Sequence, residues 1–226
     1  RDAPHRPVTA GTGGRRGLFL VFEGPEGAGK STQIARLAER LAAVGRDVLL
    51  TREPGGTRAG DAIRDVLLDP DQVIYPLTEF LLYSASRAQL VSEVIAPALA
   101  AGKDVVSDRF AGASVAYQAY GRGLDLDLVT DLNARATGGL EPDLTVLLDI
   151  EPEAGLRRAG ARSEQDRLEA AGLAFHRRVR EGYLAQAAAD PTWLVIDASA
   201  PADDVAAAVW AGVAPLLDRR EEATGG

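Results

Sequence analysis

From residue 18 onward, short apolar runs alternate with longer stretches whose apolar residues recur every three or four positions. The short runs fall at 18–22, 47–50, 104–107, 144–148 and 193–196, and each is close to continuous. Strands buried on both faces read this way, and five of them separated by helices predict a parallel sheet covered by helices on both sides. The first helix carries Ile34, Leu37, Ala38, Leu41 and Val44 on one face, with Gly45 as a left-handed stop. Pro76 suits the first turn of a helix running to Arg87, and a further apolar stretch over 90–101 ends at Gly102. Asp125 is placed to cap a helix reaching Ala136, after which Gly138, Gly139 and Pro142 break the chain before the fourth strand. Residues 168–189 and 202–218 read as two more helices. With no repeat and no second compositional regime, residues 18–218 are expected to form one α/β domain between a flexible basic tail (1–17) and a short C-terminal tail (219–226).

Composition narrows the chemistry more than the fold. The chain of 226 residues is 46% hydrophobic and 26% charged, which is globular, and it has no cysteine, so disulfides, thiol nucleophiles and Cys-bound zinc are excluded. With His5 and His176 the only histidines, a multi-His metal site or a His-centred triad is not expected. The chemistry must run on carboxylates, hydroxyls, guanidiniums and Lys30 or Lys103. A net charge of −8 disfavours a general grip on nucleic acid or anionic lipid, so an anionic ligand has to be held locally. No apolar run reaches membrane-span length and no signal peptide is recognisable, so a soluble, cytoplasmic protein with no nucleic-acid or membrane partner is expected. The absence of Met, an initiator included, suggests a chain processed, trimmed or cut from something longer. The dominance of Arg over Lys reads as coding bias.

Gly24, Pro25, Glu26, Gly27, Ala28, Gly29, Lys30 and Ser31 match G-x-x-x-x-G-K-S between an apolar strand and an amphipathic helix. Glycines let the backbone wrap a phosphate, successive N–H groups and the helix N-terminus supply positive potential, Lys30 reaches the β and γ phosphates, and Ser31 can ligate Mg²⁺. The single asparagine, Asn133, is followed by Ala and Arg, so the N-K-x-D guanine reader of familiar GTPases is missing. Arg-rich segments lie elsewhere: T-R-E-P-G-G-T at 51–57, D-R-F at 108–110, and Arg157, Arg158 and Arg162 up to Arg167.

Together with E-G-x-E-G-A-G-K at 23–30, Tyr117-Gln118, G-R-G at 121–123 and P-D-L-T-x-x-L-D at 142–149, these segments resemble bacterial thymidylate kinases over 18–215. The resemblance implies a P-loop nucleoside monophosphate kinase: a five-stranded parallel sheet flanked by helices, with an Arg-bearing lid, a homodimer, and transfer of the γ-phosphoryl group of ATP to dTMP with Mg²⁺. That chemistry suits the residues present. A monophosphate is already largely a dianion near neutral pH, because its second pKa is about 6, so it needs no general base. The work is charge stabilisation and alignment.

The resemblance also implies residue roles. Arg109 clamps the acceptor phosphate, Arg52 assists there, and Asp108 either acts on Mg²⁺ or positions Arg109. Tyr83 and Arg87, four apart on a helix, form the thymine floor by stacking and by donating to O4. Ser114 and Tyr117 close the pocket, and Glu26 lies near the 3′ hydroxyl. Since Gly27 stands where some eukaryotic relatives carry an Arg, Arg158 and Arg162 in the lid at 155–167 supply transition-state charge. Asp197 belongs to the adenine-side loop. Two rivals remain: a kinase of another small acceptor such as a deoxynucleoside, for which Glu53 or Asp108 would be the base, and a catalytically silent nucleotide-binding domain.

Overall fold

The computed structural model of the chain describes residues 16–160, 168 and 171–222, the last three by backbone alone. Five strands, β1 (Phe19–Glu23), β2 (Val48–Arg52), β3 (Asp104–Asp108), β4 (Leu144–Asp149) and β5 (Trp193–Asp197), pair in parallel in the order β2-β3-β1-β4-β5. Each overlaps a predicted apolar run. The helices are α1 (Lys30–Ala43), α2 (Arg58–Leu68), α3 (Pro76–Leu90), α4 (Ala96–Ala100), α5 (Ala111–Ser114), α6 (Leu126–Thr137), α7 (Pro152–Gly160), α8 (Leu173–Ala189) and α9 (Ala202–Glu222). One π-helical segment (Val91–Ile95) joins α3 to α4 and another (Val115–Gly121) follows α5.

Strand alternation sorts the core. Leu20, Phe22, Val106, Val146, Leu148 and Ile196 face Ile34, Leu37 and Leu41 of α1 and Val205, Val209 and Val213 of α9. On the other face Phe19, Val21 and Val105 pack on Leu90, Ile95 and Leu99, while Leu147 meets Tyr117, Val179 and Tyr183. The chain therefore leaves β1 over one face, through α1, and leaves β3 over the other, through α5 and α6. A crevice opens at the carboxyl ends of these two neighbouring strands, the place where open α/β sheets bind ligands.

Local signals behaved as their chemistry requires. Asp125 caps α6 by accepting from Leu128 N at 2.8 Å, and Gly45 ends α1 with φ 81°. Three helical stretches go beyond the pattern of apolar positions: α2, α5 with the π-helical segment after it, and α7, which falls at the start of the expected lid. The N-terminal contacts begin before Leu18: Gly17 N donates to Leu99 O, and Arg16 pairs with Asp143 at 2.9 Å. Helix α9 continues to Glu222, four residues beyond the expected end. Among the described residues no helix is long and apolar enough to cross a membrane.

Candidate active site

The turn after β1 is shaped by glycine at close approaches. Gly24 has φ 142°, and a Cβ there would stand 2.4 Å from Leu148 O; at Gly27, with φ 70°, it would stand 2.0 Å from Gly155 O. The loop thus lies backbone-to-backbone against α7. Gly29 in the left-handed region turns the chain into α1, so the helix begins at Lys30 with its first N–H groups directed at the crevice. Lys30 is buried, and its Nζ donates to Gly24 O and Pro25 O, both at 3.1 Å. Burial lowers its pKa, and the nearby Arg109 adds to this, while Asp108, Glu26 and Glu23 oppose the shift.

Arg109 is the one non-glycine residue with positive φ (73°) among the described residues. A side chain in that region costs about 1–2 kcal/mol. Two bonds hold it there: Arg109 N donates to Phe22 O at 2.9 Å, and Ser107 Oγ donates to Arg109 O at 2.7 Å. The guanidinium then donates to Gly24 O (3.2 Å), Tyr183 Oη (2.8 Å), Glu26 Oε1 (2.6 Å) and Tyr117 Oη (3.1 Å). Tyr117 in turn donates to Glu26 at 2.7 Å. Burial would raise the Glu26 pKa, but the charges of Arg109 and Lys30 and the Tyr117 hydrogen bond together hold it down to about 2.

Two cavities meet at this cluster. One, of about 210 Å³, is lined by the phosphate loop from Glu26 to Ser31 together with Arg52, Glu53, Arg64, Asp108 and Arg109. The other, of about 110 Å³, is lined among others by Tyr83, Ser114, Tyr117, Gln118 and Leu168. Glu26, Glu53, Arg64 and Arg109 line both. A polyanion-binding cradle and a smaller, more apolar slot therefore share one charged wall. Arg52 is 59% exposed and stands 3.8 Å from Asp61, so its guanidinium sits at the mouth.

Arg87 stands differently from the expectation. It does not line the slot but lies beneath it, fully buried, and donates to Glu53 Oε2 (2.8 Å), Asn133 Oδ1 (2.7 Å), Phe110 O (3.0 Å) and Ser114 Oγ (3.1 Å). Tyr83 and Arg87 lie four apart on α3, but the acceptors of Arg87 come from the β2–α2 turn, from α5 with its N-cap Phe110, and from α6. Ser114 is what reaches the slot. Burial pushes the Glu53 carboxyl up to about 7 against the attraction of Arg87, and its Oε1 has no hydrogen-bond partner.

At the far end of the cradle, Arg158 on α7 donates to Ala198 O at 2.8 Å, and Asp197 Oδ1 accepts from Ser199 N at 2.8 Å. Both are exposed and neither lines the cradle or the slot. Arg162 and Arg167 lie outside the described residues. Asp108 Oδ1 is buried with no partner, and Ser31 is exposed at the start of α1. An unpartnered carboxylate oxygen and a hydroxyl lining one cavity fit Mg²⁺, which keeps several waters and takes further ligands from phosphates. Among the described residues no group of three or more His, Cys, Asp or Glu could hold a metal without such help.

Sequence reasoning missed Glu23, Arg64, Gln118 and Tyr183 as site residues. Gln118 Nε2 donates to Glu79 Oε1 at 2.9 Å, and Glu79 is also paired with Arg122, so the amide's oxygen is left for the slot that Gln118 lines. For Glu23 a signal existed. It is a charged residue ending a continuous apolar strand, on the same face as Phe19 and Val21.

A model of the family described as thymidylate kinase matches residues 22–209. A thymidylate kinase of Deinococcus radiodurans is 58% identical over 199 residues, covering 88% of this chain and 97% of that protein. Another, from Synechococcus sp. (strain JA-2-3B'a(2-13)), is 54% identical over 201 residues, covering 88% of this chain and 96% of the relative. One from Cereibacter sphaeroides is 50% identical over 211 residues, with 90% and 97% covered.

Proposed function

The chain belongs to the thymidylate kinase family and carries out ATP-dependent phosphorylation of dTMP to dTDP, and from that premise we propose how its residues divide the work. ATP occupies the larger cavity, its phosphates wrapped by residues 24–31 with Lys30 on the β and γ groups, and dTMP occupies the slot. Ser31 and Asp108 would hold Mg²⁺ together with the phosphates, and the ion would supply neutralisation of the charge on the transferring group. Arg109, Lys30, Arg64 and Arg52 bring two polyanions together along one wall. The single observation that carries this reading is that the two cavities meet at Arg109 and Glu26, an ion pair of 2.6 Å.

That pair also defines the acceptor. Both Nη atoms of Arg109 donate to protein groups, so a phosphate that takes them does so by exchange. A nucleotide carries both halves of the exchange: its phosphate takes Arg109 from Glu26, and its 3′ hydroxyl donates to the Glu26 carboxylate left behind. A nucleoside lacks the first half. For the base, Tyr83 stacks. Ser114 Oγ accepts from Arg87 and keeps its own proton, which it donates to thymine O4, and the Gln118 oxygen accepts from N3–H. Cytosine reverses both donors and acceptors at these atoms. Arg158 closes over ATP from the adenine-side loop at Asp197 and Ala198, with Arg162 as its companion. The protein works as a cytoplasmic homodimer, since ATP and dTMP are cytoplasmic nucleotides and α2, α3 and α6 present an apolar face. Residues 18–218 form the working domain.

Steady-state assays with ATP and Mg²⁺ against dTMP, thymidine and dCMP test the reading. dTMP should be used, thymidine should not, and dCMP should fall behind in kcat/KM by about 10- to 100-fold for hydrogen bonds left unmade in a buried slot. Equal use of dTMP and thymidine would point to the deoxynucleoside kinase instead.

A further inference from the structure

We propose that Glu23 and Tyr183 act as a positioning pair that sets the Arg109 guanidinium and the acceptor wall together, an inference that rests on Arg109 holding the acceptor phosphate. Glu23 is fully buried at the carboxyl end of β1. Its Oε1 accepts from Phe110 N at 2.9 Å and Ala113 N at 3.0 Å, and its Oε2 accepts from Tyr183 Oη at 2.9 Å. Tyr183, equally buried on α8, accepts from Arg109 Nη1 at 2.8 Å through the same hydroxyl.

One carboxylate therefore fixes three things. Through the Phe110 amide it pins the residue next to Arg109, whose left-handed backbone would otherwise relax. Through the Ala113 amide, which donates to Phe110 O as well, it ties down the start of α5, the segment leading to Ser114 and Tyr117. Through Tyr183 it orients the guanidinium itself. The space around it is closed: a Cβ at Gly112 would stand 3.2 Å from Glu23 Oε1 and 2.8 Å from the Trp193 ring. A carboxylate is costly at such depth, and an apolar residue would serve packing as well or better. What an apolar residue cannot do is hold two amides and a hydroxyl in fixed directions. Tyr183 also brings α8 into the network, so the docking of the helix after the lid segment is felt at the phosphate clamp.

The test is a double-mutant cycle of Tyr183→Phe with Arg109→Ala. Tyr183→Phe keeps the ring and its packing and removes only the hydroxyl, so kcat/KM for dTMP should fall about 10- to 100-fold, with the KM for ATP within about twofold of the parent and the far-UV dichroism unchanged. In the Arg109→Ala background the same change should cost less than about threefold. A similar loss of kcat/KM in both backgrounds would make Tyr183 a structural residue and overturn the pairing. An Arg109→Ala enzyme that uses dTMP like the parent would overturn both the clamp and the pairing, whereas a crippled Arg109→Ala enzyme with additive Tyr183→Phe would overturn the pairing alone. If Tyr183→Phe fails to fold, Glu23→Gln enters the same cycle. It retains an acceptor for the two amides and turns the Tyr183 hydroxyl away from Arg109, so loss confined to the Arg109 background is again expected.

Discussion

At Glu26 a single carboxylate faces two cations, and the sign of its contribution to stability can be worked out. Its folded pKa of about 2 lies below the ordinary glutamate value of about 4.5. The contribution, on the order of 3 kcal/mol, is fully present above the unfolded value and disappears as pH falls through the folded one. Glu53, pushed up to about 7, works the other way: its penalty grows as pH rises from about 4.5 to 7 and is constant above. Comparing the parent with Glu26→Gln cancels Glu53. The parent should melt higher at pH 7, with the gap closing toward pH 2.5 in thermal scans; a gap constant over that range would mean Glu26 is not held ionised by Arg109 and Lys30. The cations here were legible because Lys30 and Arg109 sit in contiguous motifs whose chemistry is local. Arg87 was legible only as a position. Its partners Glu53, Asn133 and Ser114 are brought together by three separate elements, and no spacing within α3 carries that information.

At the scale of elements, legibility followed amphipathic width. Helix α1 buries Ile34, Leu37 and Leu41 on a full stripe and was read at once, whereas α2 buries only Gly60 and Leu67 and starts from a cap, Thr57, inside the T-R-E-P-G-G-T motif. The π-helical segment over Val115–Gly121 escaped for the opposite reason. Its residues from Ala116 to Ala119 are all buried, packed among neighbours on several sides, so no polar face marks a period. Such π-helical turns are frequent at functional sites, and this one carries Tyr117 and Gln118. Helix α7 was recognised by its arginines, not by its contact with the phosphate loop. A Cβ at Gly155 would stand 2.2 Å from Glu26 O, a backbone atom with little freedom to move. Gly155→Ala should therefore push α7 off the loop, cost about 1–3 kcal/mol, and raise the KM for ATP by displacing Arg158 from Ala198 O. Calorimetry and ATP kinetics check this, and parent-like values in both would mean that the loop and α7 separate freely.

The whole molecule carries an apolar surface that the fold itself does not use. Val66 of α2, Val73 and Tyr75 before α3, Leu77 and Leu81 on α3, and Leu126 and Leu128 on α6 are all at least 45% exposed, on elements that pack side by side. Clusters of this kind on a soluble fold mark association surfaces. A second copy of the chain is the proposed occupant, and its seat is functionally placed. Helix α3 turns Leu77 and Leu81 outward and Phe80, Ser84 and Arg87 inward, with Tyr83 at the slot between. Pairing two chains through this face would brace the helix that carries the base-stacking ring. Sequence periodicity could not show this, because an exposed Leu on an otherwise ordinary helix becomes informative only when neighbouring elements bring others beside it. Replacing Leu77 and Leu81 together by Glu should yield a folded monomer in sedimentation velocity. The KM for dTMP should then rise about 5- to 30-fold, as expected for losing about 1–2 kcal/mol of preorganisation, while the KM for ATP, bound on the phosphate-loop side, stays near the parent value. If the parent itself sediments as a monomer at micromolar concentration, the face serves another partner; if the double variant is a monomer with unchanged dTMP kinetics, dimerisation and the acceptor slot are independent.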